Sequence, residues 1–197
     1  MSILTIAGSP SSRSRSSTLL QFASRRLAAQ GFDVEEIGVQ DVPAEDLIGG
    51  NYGSAAAGAL RARVSRAKAV LIASPVYKAS FAGGLKALLD LLDEKGLAGK
   101  LVLPIASGGS PAHLLALEYG FKPVLSALGA RHILAGIYAT DAQVKFAEDG
   151  SAAIDADVAR RLDESIARIA EYARPARTTP EPACDLGRLL LNRRVSV

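Results

Sequence analysis

Three short segments carry the residues whose types and spacing suit chemistry. The first, residues 8–17, reads GSPSSRSRSS and lies between a short apolar run and a helical pattern. Helix N-termini present unpaired N–H groups and a partial positive charge, which together attract anions. Serine hydroxyls add donors without bulk, and Arg13 and Arg15 add charge. The segment lacks the GK[ST] ending of a Walker A loop and the second and third glycines of a dinucleotide fingerprint. A single phosphate, as in a mononucleotide, fits this composition best. The competing reading is a mobile serine-rich linker ending in a helix cap at Ser16 or Ser17.

The second segment, residues 74–84, reads SPVYKASFAGG. Pro75 keeps the chain extended as it leaves a strand, and Val76, Tyr77 and Phe81 put large apolar groups where the chain should reach the surface. A flat aromatic ligand would explain them; packing beneath the loop or at a subunit contact would as well. Lys78 reads either as a phosphate partner or as a solvated cation. The third segment, residues 107–113, reads SGGSPAH. Gly108 and Gly109 expose backbone N–H groups suited to a ring's carbonyl edge or to a nitrogen that becomes anionic on reduction. Ser110 before Pro111 also has the form of an ordinary N-cap with proline at N1. His113 would lie in that helix's first turn, where the dipole favours neutral imidazole. One irregularity remains: Pro123 removes a helical donor, and Gly120 weakens the same turn by about 1 kcal/mol. A π-bulge would relieve both, although the residues alone favour a simple kink.

The elements around these segments alternate in period. Strand patterns fall at 2–7, 33–39, 68–74, 100–107 and 132–139; helical patterns fall at 16–30, 59–67, 83–93, 112–128 and 155–174, with 42–58 loop-like. Alternation of this kind predicts a parallel sheet between helix layers. The near-continuous apolar runs of the central strands suit strands covered on both faces. The expected fold class is α/β: a flavodoxin-like three-layer sandwich with five parallel strands in the order 2-1-3-4-5. Ligands of such sheets sit beyond the carboxyl ends of the strands at the switch point, where all three segments converge.

At 197 residues the chain is one domain's worth, expected to span 1–174, with 175–197 as a C-terminal tail whose Leu189, Leu190 and Leu191 suggest docking. A hydrophobic content of 49% argues against wholesale disorder. Aromatics at 5% with no Trp, and a net charge of +3, give no platform for nucleic acid. The lone Cys184 excludes an internal disulfide, and two histidines leave little for a metal site. The apolar run at 2–7 has no basic leader, and no run approaches the ~20 residues of a membrane span. The expectation is a cytoplasmic protein without membrane or nucleic-acid partners.

The motifs AGSPSSRSRSS, SPVYKASFAGGLKALLDLL, LVLPIASGGSPAHLLALEYGFKPVLSALGA and YATDAQV together resemble the NADPH-dependent FMN reductase family of flavodoxin-like proteins, over about residues 3–144. Within it they most resemble the reductase components of two-component alkanesulfonate monooxygenase systems. The resemblance implies hydride transfer from NADPH or NADH to the N5 of free FMN, with no catalytic acid or base, and delivery of reduced FMN to a flavin-dependent monooxygenase. It implies that Ser9, Ser14, Arg15 and Ser16 cradle the phosphate. Pro75, Val76, Tyr77 and Lys78 would line the isoalloxazine, and Ser107, Gly108 and Gly109 its pyrimidine side. Tyr119 would sit in a π-helical segment at the interface of a homo-oligomer, a dimer or tetramer, which favours the bulge over the kink. Gly120 and Gly129 depart from relatives, which often carry other residues there. Two other activities stay compatible: a tightly FMN-bound reductase of quinones, azo dyes or metal oxyanions, and a flavodoxin-type electron carrier. Such carriers are usually strongly acidic, unlike this chain.

Overall fold

The computed structural model describes residues 2–11 and 13–174; the expected tail at 175–197, with Cys184, lies outside the described residues. The described chain holds nine strands and six α-helices, with helices separating the first three strands of the main sheet and flanking its later ones. The main sheet is built from β1 (Ser2–Ala7), β2 (Asp33–Gly38), β3 (Ala69–Tyr77), β5 (Leu101–Gly108), β6 (His132–Ile133) and β7 (Ile137–Thr140). All pair in parallel, in the order β2-β1-β3-β5-β6, with β7 also on β5. The expected order of five parallel positions is therefore present, but its labels shift. A two-residue strand, β4 (Ser80–Phe81), intervenes in the chain and pairs antiparallel with β3, and the fifth position is divided. The division falls beside Pro104 of β5, which has no N–H to offer a neighbour. There Gly136 takes φ +92°, with its Cα so close that a Cβ would lie 3.1 Å from the Pro104 carbonyl oxygen.

Period-two alternation sorts the strand side chains into two cores. Ile3, Leu71, Leu103 and Ile105 face α1 (Arg15–Ala29) and α6 (Ala156–Ala173), meeting Leu19, Leu27, Val158 and Ile166. Leu4, Ile6, Val70, Ile72 and Val102 face the other way, toward Leu60 and Val64 of α3 (Ala55–Arg66), Leu85 and Leu88 of α4 (Gly83–Leu89), and Phe121 and Leu125 near α5 (Lys122–Ala127). Each fully buried Leu or Ile contributes roughly 1.5–3 kcal/mol. The two layers therefore hold the central strands far more firmly than β2 at the edge, where Ile37 is its one buried residue.

Several boundaries differ from the sequence expectation. The first helix starts at Arg15, because Ser14 rather than Ser16 or Ser17 accepts the cap bond, from the Ser17 N–H. The 42–58 stretch holds α2 (Ala44–Gly49) and the start of α3, which Ser54 caps through Ala57 N–H at 3.1 Å. That start was hidden because an Ala-Ala-Ala-Gly run shows no apolar period. The irregular 112–128 stretch divides into a 3₁₀ turn (Pro111–His113), a π-helix (Leu117–Phe121) and α5. The kink gives way to the bulge: Lys122 N–H bonds the Leu117 carbonyl five residues back. The extra residue turns Phe121 fully inward, its ring 4.9 Å from that of Phe81, and leaves Tyr119 79% exposed. A hairpin of β8 (Val144–Phe146) and β9 (Ala152–Ile154) precedes α6 and had no counterpart in the expected elements. Among the described residues, no helix is long and apolar enough to cross a membrane.

Gly8 joins β1 to the first loop, its N–H bonding the Ala73 carbonyl at 2.7 Å. A Cβ there would lie 2.8 Å from Leu85 Cδ2 and 2.9 Å from the Ala73 oxygen. Gly8→Ala should therefore lower stability by about 1–3 kcal/mol, read as a smaller urea midpoint at unchanged slope.

Candidate active site

The three loops meet at the switch point between β1 and β3, around a cleft of about 250 Å³. From the first loop come Ser9, Ser11, Arg13, Ser14 and Arg15; from the end of β3 come Pro75, Val76 and Tyr77; from the end of β5 come Ser107, Gly108 and Gly109. Asp141, just beyond β7, closes the ring. Nine of the eleven residues singled out in the sequence for flavin contact thus line one cleft. The other two do not. Ser16 is fully buried and meets Ser14, hydroxyl to hydroxyl, at 2.9 Å. Lys78 is exposed at the tip of a turn.

Local chemistry shapes each wall. The Ser9 hydroxyl accepts from Ser11 N–H at 3.1 Å and the Ser11 hydroxyl donates to the Arg13 carbonyl at 3.1 Å, which folds the loop tightly ahead of α1. No acidic residue sits in the first turn of α1, so its N-terminal field faces the cleft without a carboxylate of its own. The second wall is a hairpin. Lys78 and Ala79 take φ +51° and +65°, the pair of left-handed residues that a type I′ turn requires and that asparagine and glycine usually supply. The Ser74 hydroxyl binds its base, accepting from Ala82 N–H and donating to the Pro75 carbonyl, both at 2.9 Å. This base holds Tyr77 in place, 53% exposed at the cleft mouth. In the third wall, Tyr138 O–H donates to the Ser110 carbonyl at 2.6 Å. Burial, with a smaller push from the Asp141 carboxylate, raises the Tyr138 pKa and keeps that donor protonated.

Sequence reasoning missed the outer clamp on the first loop. Arg15 donates Nε–H to the Val144 carbonyl at 3.0 Å, and Arg13 donates to the Ala147 carbonyl at 3.3 Å. Both guanidinium groups lie over the Phe146 ring, at 4.7 Å for Arg13 and 5.6 Å for Arg15. The available signal was the Asp149-Gly150 pair between two short alternating runs. Asp141 was missed too, although a polar residue just past the carboxyl end of a fifth strand stands where ligands of this fold lie.

Residues 1–145 match the family model described as NADPH-dependent FMN reductase. The chain belongs to that family. It is an oxidoreductase, and the family's reactants are FMN and a reduced nicotinamide. An "FMN reductase (NADPH)" of Pseudomonas putida is 50% identical over 148 residues, 75% of each chain. The protein of the same description from Escherichia coli is 46% identical over 144 residues, 73% of this chain and 75% of that one. Among solved structures, an apo NADH:FMN oxidoreductase (EMOB) is 35% identical, with a TM-score of 0.78 over 93% of this chain and 98% of that one.

The donor set fits FMN: hydroxyls and guanidinium groups gather at a helix N-terminus on one side, and an aromatic ring and a glycine pair stand opposite. A Cβ on Gly109 would meet nothing nearer than Asp141 Oδ2 at 4.0 Å, so that wall is open backbone. Gly108 is tighter: a Cβ would lie 2.6 Å from the Tyr138 hydroxyl oxygen. Gly108→Ala should therefore break the Tyr138–Ser110 bond and cost about 1–3 kcal/mol. Adding Tyr138→Phe removes the clashing oxygen, so thermal denaturation of the double variant should show a loss well below the sum of the two single losses.

Proposed function

We propose that the protein reduces FMN as a diffusible substrate, using NADPH or NADH in the cytoplasm. We assign the reduced flavin to a flavin-dependent monooxygenase, of the type that releases sulfite from alkanesulfonates. The observation that carries the reading is the pairing of a helix N-terminus whose own first turn holds no acidic residue with an exposed tyrosine and open glycine backbone across one small cleft. Bound FMN supplies the two-electron acceptor; the chain supplies grip and orientation. Ser9, Ser14 and Arg15 hold the phosphate through hydroxyls, charge and the field of α1. Ser16 acts one step back, fixing the Ser14 hydroxyl. Pro75, Val76 and Tyr77 line the ring's face, with Lys78 shaping their turn, and Ser107, Gly108 and Gly109 meet its polar edge. No side chain in this scheme moves a proton.

A second copy of the chain completes the site. A cleft of about 250 Å³ is smaller than the ~300–1,000 Å³ typical of ligand pockets. Beside it, Leu114, Leu115 and Tyr119 are each at least half exposed. Gly120 seats this segment against the hairpin, where a Cβ would lie 3.2 Å from Ser80 Oγ. A dimer or tetramer that buries Tyr119 would bring the partner's surface to the cleft mouth. Tyr119→Glu should then lower the molar mass measured by light scattering to that of a smaller assembly; an unchanged mass rejects the interface.

Activity tests the rest. NADPH oxidation by the purified protein should rise with added FMN and saturate. A rate indifferent to added FMN, from protein that stays yellow through dialysis, would instead mark a tightly held prosthetic group. Replacing Ser14 and Arg15 by alanine should weaken FMN binding about 10- to 100-fold, each lost charged contact being worth roughly 1.5–3 kcal/mol before compensation. Riboflavin binding should not change.

A further inference from the structure

Asp141 supplies the only carboxylate lining the cleft among the described residues, and it stands opposite the loop assigned to the phosphate. Its Oδ2 lies 3.5 Å from Nη1 of Arg15, with the two side chains 50% and 36% exposed. Its backbone is fixed, because Asp141 N–H donates to the Gly108 carbonyl at 3.2 Å. The other edge of Arg15 is fixed as well, with Nε–H on the Val144 carbonyl at 3.0 Å and the guanidinium over Phe146. Arg15 therefore has one anchored edge and one edge whose partner is a solvent-accessible carboxylate. A guanidinium offers five donors in a rigid fork. It can stay anchored through Nε while Nη1 exchanges one anion for another.

We propose that Asp141 competes with the FMN phosphate for Arg15 and so shortens the residence of the flavin in the cleft. The proposal rests on the phosphate assignment made above. Phosphate arriving at Arg15 must displace the carboxylate from Nη1, and it then shares the cleft with a like charge that has lost its partner. Both effects weaken binding. A protein that passes its flavin on gains from that weakening, whereas one that keeps its flavin would not. The alternative role for Asp141, holding Arg15 in the correct pose, makes the opposite prediction: without it, FMN would bind less well.

The sign of the effect decides between these roles. The full chain is titrated with FMN and with riboflavin, without nicotinamide, and flavin fluorescence is followed. Asp141→Asn should lower the Kd for FMN by about fivefold, the scale of one partly exposed charge pair plus the repulsion removed with it. Riboflavin affinity should not change. Asp141→Glu, which restores the charge, should return FMN to within about twofold of the native value. Stopped-flow dilution should place the gain in slower dissociation. Circular dichroism checks that the variants are folded, and Asp141→Ala must shift FMN binding in the same direction as Asp141→Asn. An FMN Kd unchanged or raised in both neutral variants overturns the competition and leaves the phosphate cradle standing, as does equal tightening of riboflavin. Native protein that binds riboflavin as tightly as FMN overturns the cradle itself, and this proposal with it.

Discussion

The approach of the Gly8 backbone to β3 is the contact on which the site depends. The β1–β3 register runs from Ile3 opposite Ala69 to Ala7 opposite Ala73, and Gly8 N–H then bonds the Ala73 carbonyl at 2.7 Å. Without a side chain at Gly8, Leu85 of α4 packs directly against this backbone. One contact therefore fixes where the first loop leaves the sheet and how close the helix after the hairpin comes. Ser74, the next residue of β3, hydrogen-bonds the hairpin base. Two walls of the cleft share this root, which lies at the switch point, where chain direction opens a crevice in such sheets.

The π-helix shows the same coupling on the other face. An α-helical turn here would need an N–H from Pro123, which has none, while Gly120 adds backbone freedom. Inserting one residue relieves the missing donor and rotates the following side chains. Phe121 then reaches Phe81 beneath the hairpin, Gly120 lets the backbone approach Ser80, and Tyr119 is left outside. The hairpin tip, with two non-glycine residues in the left-handed region, costs on the order of 1–2 kcal/mol per residue. It persists because its base and its underside are both held. Strain maintained in this way is common at functional sites.

Much of this was legible in the sequence because burial writes a period. The alternation of apolar runs with helical spacing gave the layers and the sheet order, and short glycine- or serine-rich segments at strand ends marked the walls. What stayed hidden lacked a period or depended on contacts far along the chain. The start of α3 lies in an alanine run, the division of the fifth strand depends on a proline in its neighbour, and Ser14 was not distinguished from Ser16 as the cap because serines at 14, 16 and 17 are equivalent on paper. The π segment had a local cause in Pro123 and Gly120, but the choice between kink and bulge required the packing of Phe121 on Phe81, forty residues apart. Asp141 and the Phe146 clamp left only local hints, a polar residue past a strand end and an Asp-Gly turn, because their partners, Arg13 and Arg15, lie more than 120 residues earlier.

That clamp also explains why arginine rather than lysine suits this loop. Arg13 and Arg15 each spend one donor on a carbonyl of the 144–147 segment and lay a flat face over Phe146. A lysine ammonium, a compact and strongly hydrated charge, has no planar fork with which to do both and still present a directed N–H. Held at one edge, a guanidinium loses less rotamer freedom when an anion meets the other edge, so part of the ordering cost of binding is met before a ligand arrives. Because the tether runs through backbone carbonyls and an aromatic ring, it leaves the positive charge of the loop intact. Asp141 lies outside this clamp, on the free edge of Arg15, and unlike the clamp it reduces the charge an incoming phosphate would meet.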